Sequence, residues 1–126
     1  MADYLKNSTA KPLLNYLDGS VPRQLTAHFG NHLQGLPKHH KFEIIMMIAA
    51  VGNHDTDPEF EESWGNYSLQ QACNEVGIFL SLHDYGIPLI QVLDSLIWDE
   101  QLALCQFLID NLRHNQHPTG GATYTT

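Results

Sequence analysis

Histidine is the residue in this sequence with the greatest capacity for chemistry. The 126 residues include eight histidines, and neutral imidazole is a common ligand for zinc and related metal ions. Two of the histidines are followed directly by aspartate, in the dipeptides His54-Asp55 and His83-Asp84. Such a dipeptide pairs a nitrogen ligand with an oxygen ligand, so these two places are the first candidates for a metal site.

The second dipeptide lies in the run Leu82-His83-Asp84-Tyr85-Gly86, where an apolar segment ends in His-Asp and an aromatic residue and a glycine follow. This run resembles the metal-binding step of the histidine–aspartate phosphohydrolases. The resemblance implies His54, His83 and Asp84 as metal ligands, with Asp110 as a further one, and a metal-activated water that attacks a phosphate ester. Histidine and aspartate are also natural at helix ends, as a partner for the C-terminal dipole and as a cap.

Two other histidines, His28 and His32, are four residues apart. On a helix they would lie one turn above the other and could share an ion. No glutamate follows His28, so the metalloprotease pattern H-E-x-x-H is absent. Two half-buried surface histidines are therefore the favoured interpretation.

Lys38-His39-His40-Lys41 stands at the predicted start of a helix. Backbone N–H groups and the helix dipole favour an anion at that position. Lys38, His39, His40 and Lys41 are therefore candidate residues for binding a phosphate or a nucleotide, or for pairing with the acidic half of a chain. No P-loop and no G-x-G-x-x-G motif accompanies them.

The connection that follows His54 is strongly acidic and does not match a calcium-binding loop, because Pro58 interrupts it and the required glycine is missing. Three aromatic residues lie among its acids. Aromatic side chains in a polar connection are typical anchors for a protein partner. The residues that we expect to contact a basic partner are Phe60, Glu61, Glu62, Trp64 and Tyr67.

Prolines and glycines divide the chain into short helices. Helices are predicted over Ala10–Leu17, from Ser20, and from Pro37 through Val51, where Gly52 ends the third one. The second carries an apolar stripe formed by Leu25, Phe29 and Leu33. The third is apolar nearly all round, which is typical of a helix at the centre of a fold.

Asp57-Pro58 is expected to cap a short helical turn, and further helices begin at Ser68 and Pro88. The Ser68 helix is expected to reach Leu80, with Gly77 marking a close helix crossing. The last helix carries an apolar stripe formed by Trp98, Leu102, Cys105, Ile109 and Leu112. The sequence therefore predicts an all-α fold, a compact bundle of about six short helices around a central apolar helix (about 42–51). One helical domain covers 1–116, and a disordered tail covers 117–126.

Composition narrows the class of protein. No apolar run approaches the ~20 residues needed to span a bilayer, and no secretory signal is recognisable, so we expect a cytoplasmic protein with reduced Cys73 and Cys105. The formal net charge of −8 disfavours nucleic-acid binding. Residues 1–42 are net basic, however, and residues 43–126 carry twelve of the 14 acids. Such asymmetry can hold the two halves together or pair copies of the chain.

The sequence contains no complete catalytic constellation, so no catalytic residue and no cofactor is assigned. The favoured hypothesis is a non-enzymatic regulatory or adaptor protein that binds another protein, and a phage or mobile-element origin is considered with it. The wide apolar faces of the last two helices also predict a homodimer. The alternatives are a metal-dependent phosphohydrolase of the histidine–aspartate type and a small anion- or nucleotide-binding protein.

Overall fold

The computed structural model describes residues 11–78 and 84–114, and most of these are helical. The α-helices in these ranges are α1 (Ser20–Phe29), α2 (Lys38–His54), α3 (Leu69–Glu75), α4 (Leu89–Asp94) and α5 (Trp98–His114). Neither range contains a β-strand, so the predicted all-α class is confirmed. A single 3₁₀ turn, Leu13–Asn15, stands where a helix over Ala10–Leu17 was predicted, and a second one, Pro58–Ser63, stands where a capped turn was predicted.

Helix α1 ends earlier than its apolar stripe suggests. Gly30 has a φ of 100° and Leu33 a φ of 50°, and neither value belongs to a right-handed helix. Leu25, Phe29 and Leu33 are nevertheless all buried. The stripe thus identified core residues correctly but not the helix. His32 lies beyond the end of α1, so His28 and His32 do not lie one turn above the other.

Helices α2 and α5 pack side by side and run in opposite directions. Near the start of α2, the Lys41 amine donates a hydrogen bond of 2.7 Å to Oδ1 of Asn111, near the end of α5. Towards the end of α2, Gly52 lies against Trp98, the first residue of α5. A Cβ atom at Gly52 would lie 2.6 Å from Cη2 of the indole. The glycine that was expected to end α2 therefore lies inside it and permits the close approach of α5.

Helix α3 begins as predicted, through a capping box. The Ser68 hydroxyl accepts from the backbone N–H of Gln71, and the Gln71 side chain accepts from the backbone N–H of Ser68. The helix ends at Glu75, and Gly77 follows with a φ of 74°. Gly77 is therefore a residue of the helix end, and the close crossing is at Gly52 instead. Residues 79–83 lie outside the described ranges.

The apolar stripe predicted for α5 is not its buried face. The buried face is formed by Gln101, Leu104, Phe107, Leu108 and Asn111. Trp98, Leu102 and Ile109 are 44%, 46% and 46% exposed, while Cys105 and Leu112 are partly exposed. The helix thus has two apolar faces, and only one of them is covered.

Helix α2 packs against both α3 and α5, in keeping with its predicted central place, but it is not buried on all sides. Ile44, Met47 and Ile48 are buried, whereas Phe42 is 55% and Met46 48% exposed. The apolar character all round α2 therefore reflects a second face directed away from the core. Within the described ranges, no helix is both long enough and apolar enough to cross a membrane.

Candidate protein-binding site

Three aromatic rings stack at the end of α2. The imidazole of His54 lies 4.8 Å from the ring of Phe60 and 4.3 Å from that of Tyr67, with interplanar angles of 20° and 16°. Two rings at these distances cannot share one face of an imidazole without overlapping, so His54 lies between the other two. The stack joins α2 to the 3₁₀ turn and to the start of α3.

Hydrogen bonds fix the orientation of the middle ring. Nδ1 of His54 lies 2.8 Å from Oδ1 of Asp55, and Nε2 lies 3.1 Å from the Ser63 hydroxyl. Asp55 also accepts from the backbone N–H of Gly65, and the Asp57 side chain caps the 3₁₀ turn by accepting from Glu59. The acidic connection is therefore held against the helices although it has little regular structure.

A cavity of about 580 Å³ opens beside the stack. His54, Phe60 and Tyr67 supply its aromatic part, while Gln71 and Glu75 on α3 supply polar groups. Cavities of about 300–1,000 Å³ are typical of sites that enclose a small molecule or a large side chain. The lining combines aromatic faces with one carboxylate.

The carboxylate in this cavity is held by a neighbouring phenol. The Tyr67 hydroxyl donates a hydrogen bond of 2.7 Å to Oε1 of Glu75. Burial, and then this bond and the negative charge of Glu75, raise the pKa of Tyr67 to about 12. Tyr67 therefore stays protonated as the donor, and it leaves the other oxygen of Glu75 available to a ligand.

The exposed acids of the 3₁₀ turn lie next to this cavity. Glu59, Glu61 and Glu62 surround a second hollow of about 500 Å³ over the turn. Phe60 is 44% and Trp64 38% exposed. The five residues predicted to contact a partner all lie in this connection, where the Trp64 indole donates to the carbonyl of Asp57.

The structure separates the ligands that the phosphohydrolase hypothesis requires. His54 ends α2, whereas Asp84 precedes Tyr85, whose hydroxyl bonds to His40 near the start of that helix. His40 and His54 are 14 positions apart, which is about 20 Å along the helix, far beyond the ~2 Å metal–ligand bonds of one ion. Both nitrogens of His54 are also engaged in hydrogen bonds. The structure therefore does not bring His54 and Asp84 together at one site, while His83 lies outside the described residues.

Asp110, the remaining ligand candidate, accepts a hydrogen bond of 2.7 Å from the Tyr16 hydroxyl. Among the residues that the structure describes, no group of three or more histidine, cysteine, aspartate or glutamate side chains is arranged to hold a metal ion.

The candidate anion-binding residues do not converge on one surface. His40 is buried against Tyr85, and Lys41 is only 2% exposed with its amine on Asn111. Burial, and to a smaller extent the charge of Lys38, lower the pKa of Lys41. Only Lys38 and His39 of this set are accessible at the surface. The four candidate residues therefore do not share one face of the helix, because successive helical residues point about 100° apart.

Part of the cavity was not predicted from the sequence. Glu75 and Gln71 lie on the exposed side of α3, and nothing in their spacing relates them to Phe60. His54 was singled out as a metal ligand, whereas the structure uses its ring as the middle layer of a stack. The aromatic residues Phe60 and Tyr67 within the connection were the available signal.

The chain matches no protein-family model, and no curated protein and no solved structure is significantly similar to it. The functional proposal therefore depends on the site itself.

Proposed function

We propose that this protein is a non-enzymatic regulator or adaptor that binds a basic segment of a partner protein at the acidic connection between α2 and α3. The observation that carries the proposal is the stack of His54, Phe60 and Tyr67, which forms part of a cavity next to exposed carboxylates. Aromatic faces and carboxylates together favour cations.

The chemistry of this site suits arginine and lysine side chains. A guanidinium group can lie flat on an aromatic ring and form paired hydrogen bonds with a carboxylate. Phe60 offers an exposed ring at one end of the stack, and Glu75 offers a carboxylate within the cavity. Glu61 and Glu62 lie on the outer side of the turn, where they would attract further basic residues.

The connection has a fixed shape, which supports a binding role and is not typical of a merely solvated loop. The side-chain bonds of Asp55, Asp57 and Ser63 hold the aromatic rings in place before a partner arrives. A preformed site loses less conformational entropy on binding than a flexible one.

We also propose that the protein acts as a homodimer in the cytoplasm. The exposed apolar faces of α2 and α5 support self-association. Cys73 and Cys105 are both free thiols, which supports a reducing compartment.

Fluorescence anisotropy of short labelled peptides tests the binding proposal. We expect an arginine-rich peptide to bind and an acidic peptide of the same length to fail, with affinity that falls as salt is added. Phe60→Ala and the double variant Glu61→Gln/Glu62→Gln should each weaken binding by about tenfold, since a contact of this kind contributes 1–2 kcal/mol.

Asp84→Asn is the matched control, because it removes an exposed carboxylate at the far end of α2. It should bind as the wild type does. Equal binding of both peptides, or unchanged affinity in the Phe60 and Glu61/Glu62 variants, would contradict the proposal.

A further inference from the structure

The outward sides of α2 and α5 both carry exposed apolar side chains. These side chains, which define the α2/α5 outer face, are Phe42, Met46, Trp98, Leu102 and Ile109. The contacts of Lys41 with Asn111 and of Gly52 with Trp98 fix the register of the two antiparallel helices. With an equal rise per residue, Phe42 lies level with Ile109, Met46 with Cys105 and Ala49 with Leu102.

The stripe on α5 has the spacing of a helix that packs against another helix. Its residues Trp98, Leu102, Cys105, Ile109 and Leu112 follow one another at alternating steps of four and three. This is the spacing at which apolar residues keep facing a neighbouring helix. The core takes the other face of α5. Within the stripe, Trp98 lies against Gly52 of α2 and Cys105 is partly buried, whereas Leu102 and Ile109 remain exposed.

The area of this face fits a second protein chain. Its five side chains are 44% to 55% exposed, which leaves about 500 Å² of apolar surface, near the upper end of the ~300–600 Å² found for the largest patch on a monomer. When the half-buried residues between α2 and α5 and a polar rim are added, the area of the face approaches the ~800 Å² that each partner buries in a stable interface.

The charges at the two ends of the face favour a second copy in one orientation. Arg113 lies at the end of α5 beside the start of α2, where Lys38 and His39 lie. Asp99 lies at the opposite end, where α2 leads into the acidic connection. Copies that packed with their helices parallel would place like charges together. Copies with antiparallel helices would place Asp99 near Arg113 of the partner.

We infer that the α2/α5 outer face is the interface of a two-fold symmetric homodimer in which α5 packs antiparallel to α5 of the second copy. This inference rests on the proposed self-association and names the surface responsible for it. The apolar stripe supplies the affinity, and the charges at its ends select the antiparallel orientation. The aromatic cavity lies outside this face, so a dimer leaves both peptide sites accessible.

Sedimentation velocity over a range of protein concentrations is the first test. The wild type should be dimeric at micromolar concentration, and Leu102→Glu and Ile109→Glu should each weaken the dimer by at least a hundredfold, because each places two unpaired carboxylates in an apolar interface. Val76→Glu is the matched control, since Val76 is equally exposed at 43% but lies on the cavity. It should remain dimeric.

A charge exchange tests the orientation independently of the apolar residues. Asp99→Arg and Arg113→Asp should each weaken the dimer by about tenfold, since each reverses two symmetric contacts of modest strength. The double variant Asp99→Arg/Arg113→Asp should restore the wild-type affinity. These exposed substitutions leave the core unchanged, so circular dichroism should show the same helix content in all of them.

Different failures are distinguishable. A wild-type protein that stays monomeric at all concentrations overturns the proposed self-association and this inference together. A dimer that survives Leu102→Glu and Ile109→Glu overturns only the inference, because another surface then holds it. The antiparallel arrangement is overturned if the single charge reversals leave the dimer affinity unchanged, or if the double variant does not regain the wild-type affinity. None of these results bears on the peptide-binding proposal, which has its own assay.

Discussion

Replacing His54 by alanine should destabilise the protein substantially, because its ring is the middle layer of the aromatic stack. Two stacked pairs contribute about 1 kcal/mol each beyond the burial of area. The two hydrogen bonds to Asp55 and Ser63 contribute about 0.5–1 kcal/mol each. We therefore expect His54→Ala to lower the free energy of unfolding by about 3–4 kcal/mol, or the melting temperature by roughly 12–16 °C for a chain of this size.

The variant His54→Phe separates the two contributions. It keeps a ring between Phe60 and Tyr67 but loses both hydrogen bonds, so its loss should be about 1–2 kcal/mol. Urea unfolding should be followed by far-UV circular dichroism, and by tryptophan fluorescence because Trp64 reports on the connection. All variants should be compared at one protein concentration, since dimerisation changes apparent stability.

Two results would refute this reasoning. The first is a His54→Ala protein within about 0.5 kcal/mol of the wild type, the range of ordinary surface substitutions. The second is a His54→Phe protein as unstable as His54→Ala, which would mean that stacking contributes nothing.

Three other predictions concern single contacts. Tyr67 has its pKa raised to about 12 in the folded protein, so its contribution to stability should be full below about pH 10 and lost as the pH rises towards 12. Tyr67→Phe should show a shallower loss of stability over that range, and an equal loss would contradict the assignment. Burial lowers the pKa of Lys41 in the folded protein, so the unfolded chain binds the lysine proton more tightly than the folded chain does. The wild type should therefore gain stability as the pH rises towards about 10.5 and the buried amine loses its charge. The stability of Lys41→Met relative to the wild type should therefore decline from neutral to alkaline pH, and urea titrations showing a constant or growing difference would exclude this cause. Gly52→Ala should stabilise a Trp98→Ala background by about 1 kcal/mol, through helix propensity. In the wild type the new Cβ must displace the indole, so the double-mutant cycle should give a coupling energy of about 1–2 kcal/mol, and no measurable coupling would refute the close contact.

The helices were largely predictable because the residues that start and end them act locally. Pro37 and Ser68 set the starts of α2 and α3 through rules that involve only a few neighbouring residues. The early end of α1 was not predictable in the same way. Leu33 takes a left-handed conformation although it is neither glycine nor asparagine, and burial of its side chain offsets the cost of that conformation.

The direction of the apolar faces was harder to predict than the helices themselves. Helix α5 carries apolar residues on two sides, and periodicity alone does not show which side meets the core. Two buried amides lie on the core side: Gln101 bonds locally to the backbone of Leu96, whereas Asn111 bonds to the backbone of His32, which is distant in the sequence. The partner of Asn111 depends on the tertiary fold.

The acidic connection could be singled out because aromatic residues among acids are visible in the sequence. The stacking of His54 could not be predicted, because a histidine beside an aspartate looks the same in a sequence whether it binds a metal or stacks between two rings. The separation of about 20 Å along α2 between the positions of His54 and Tyr85 decides the matter, and only the fold supplies it.

The most direct test of the central claim is a nuclear magnetic resonance titration of ¹⁵N-labelled protein with an arginine-rich peptide. We expect chemical-shift changes concentrated on His54–Glu75, with the largest near Phe60, Tyr67 and Glu75, and no such response to an acidic peptide. Shifts confined to the α2/α5 outer face, or spread evenly over the helices, would contradict the assignment of the aromatic cavity as the binding site.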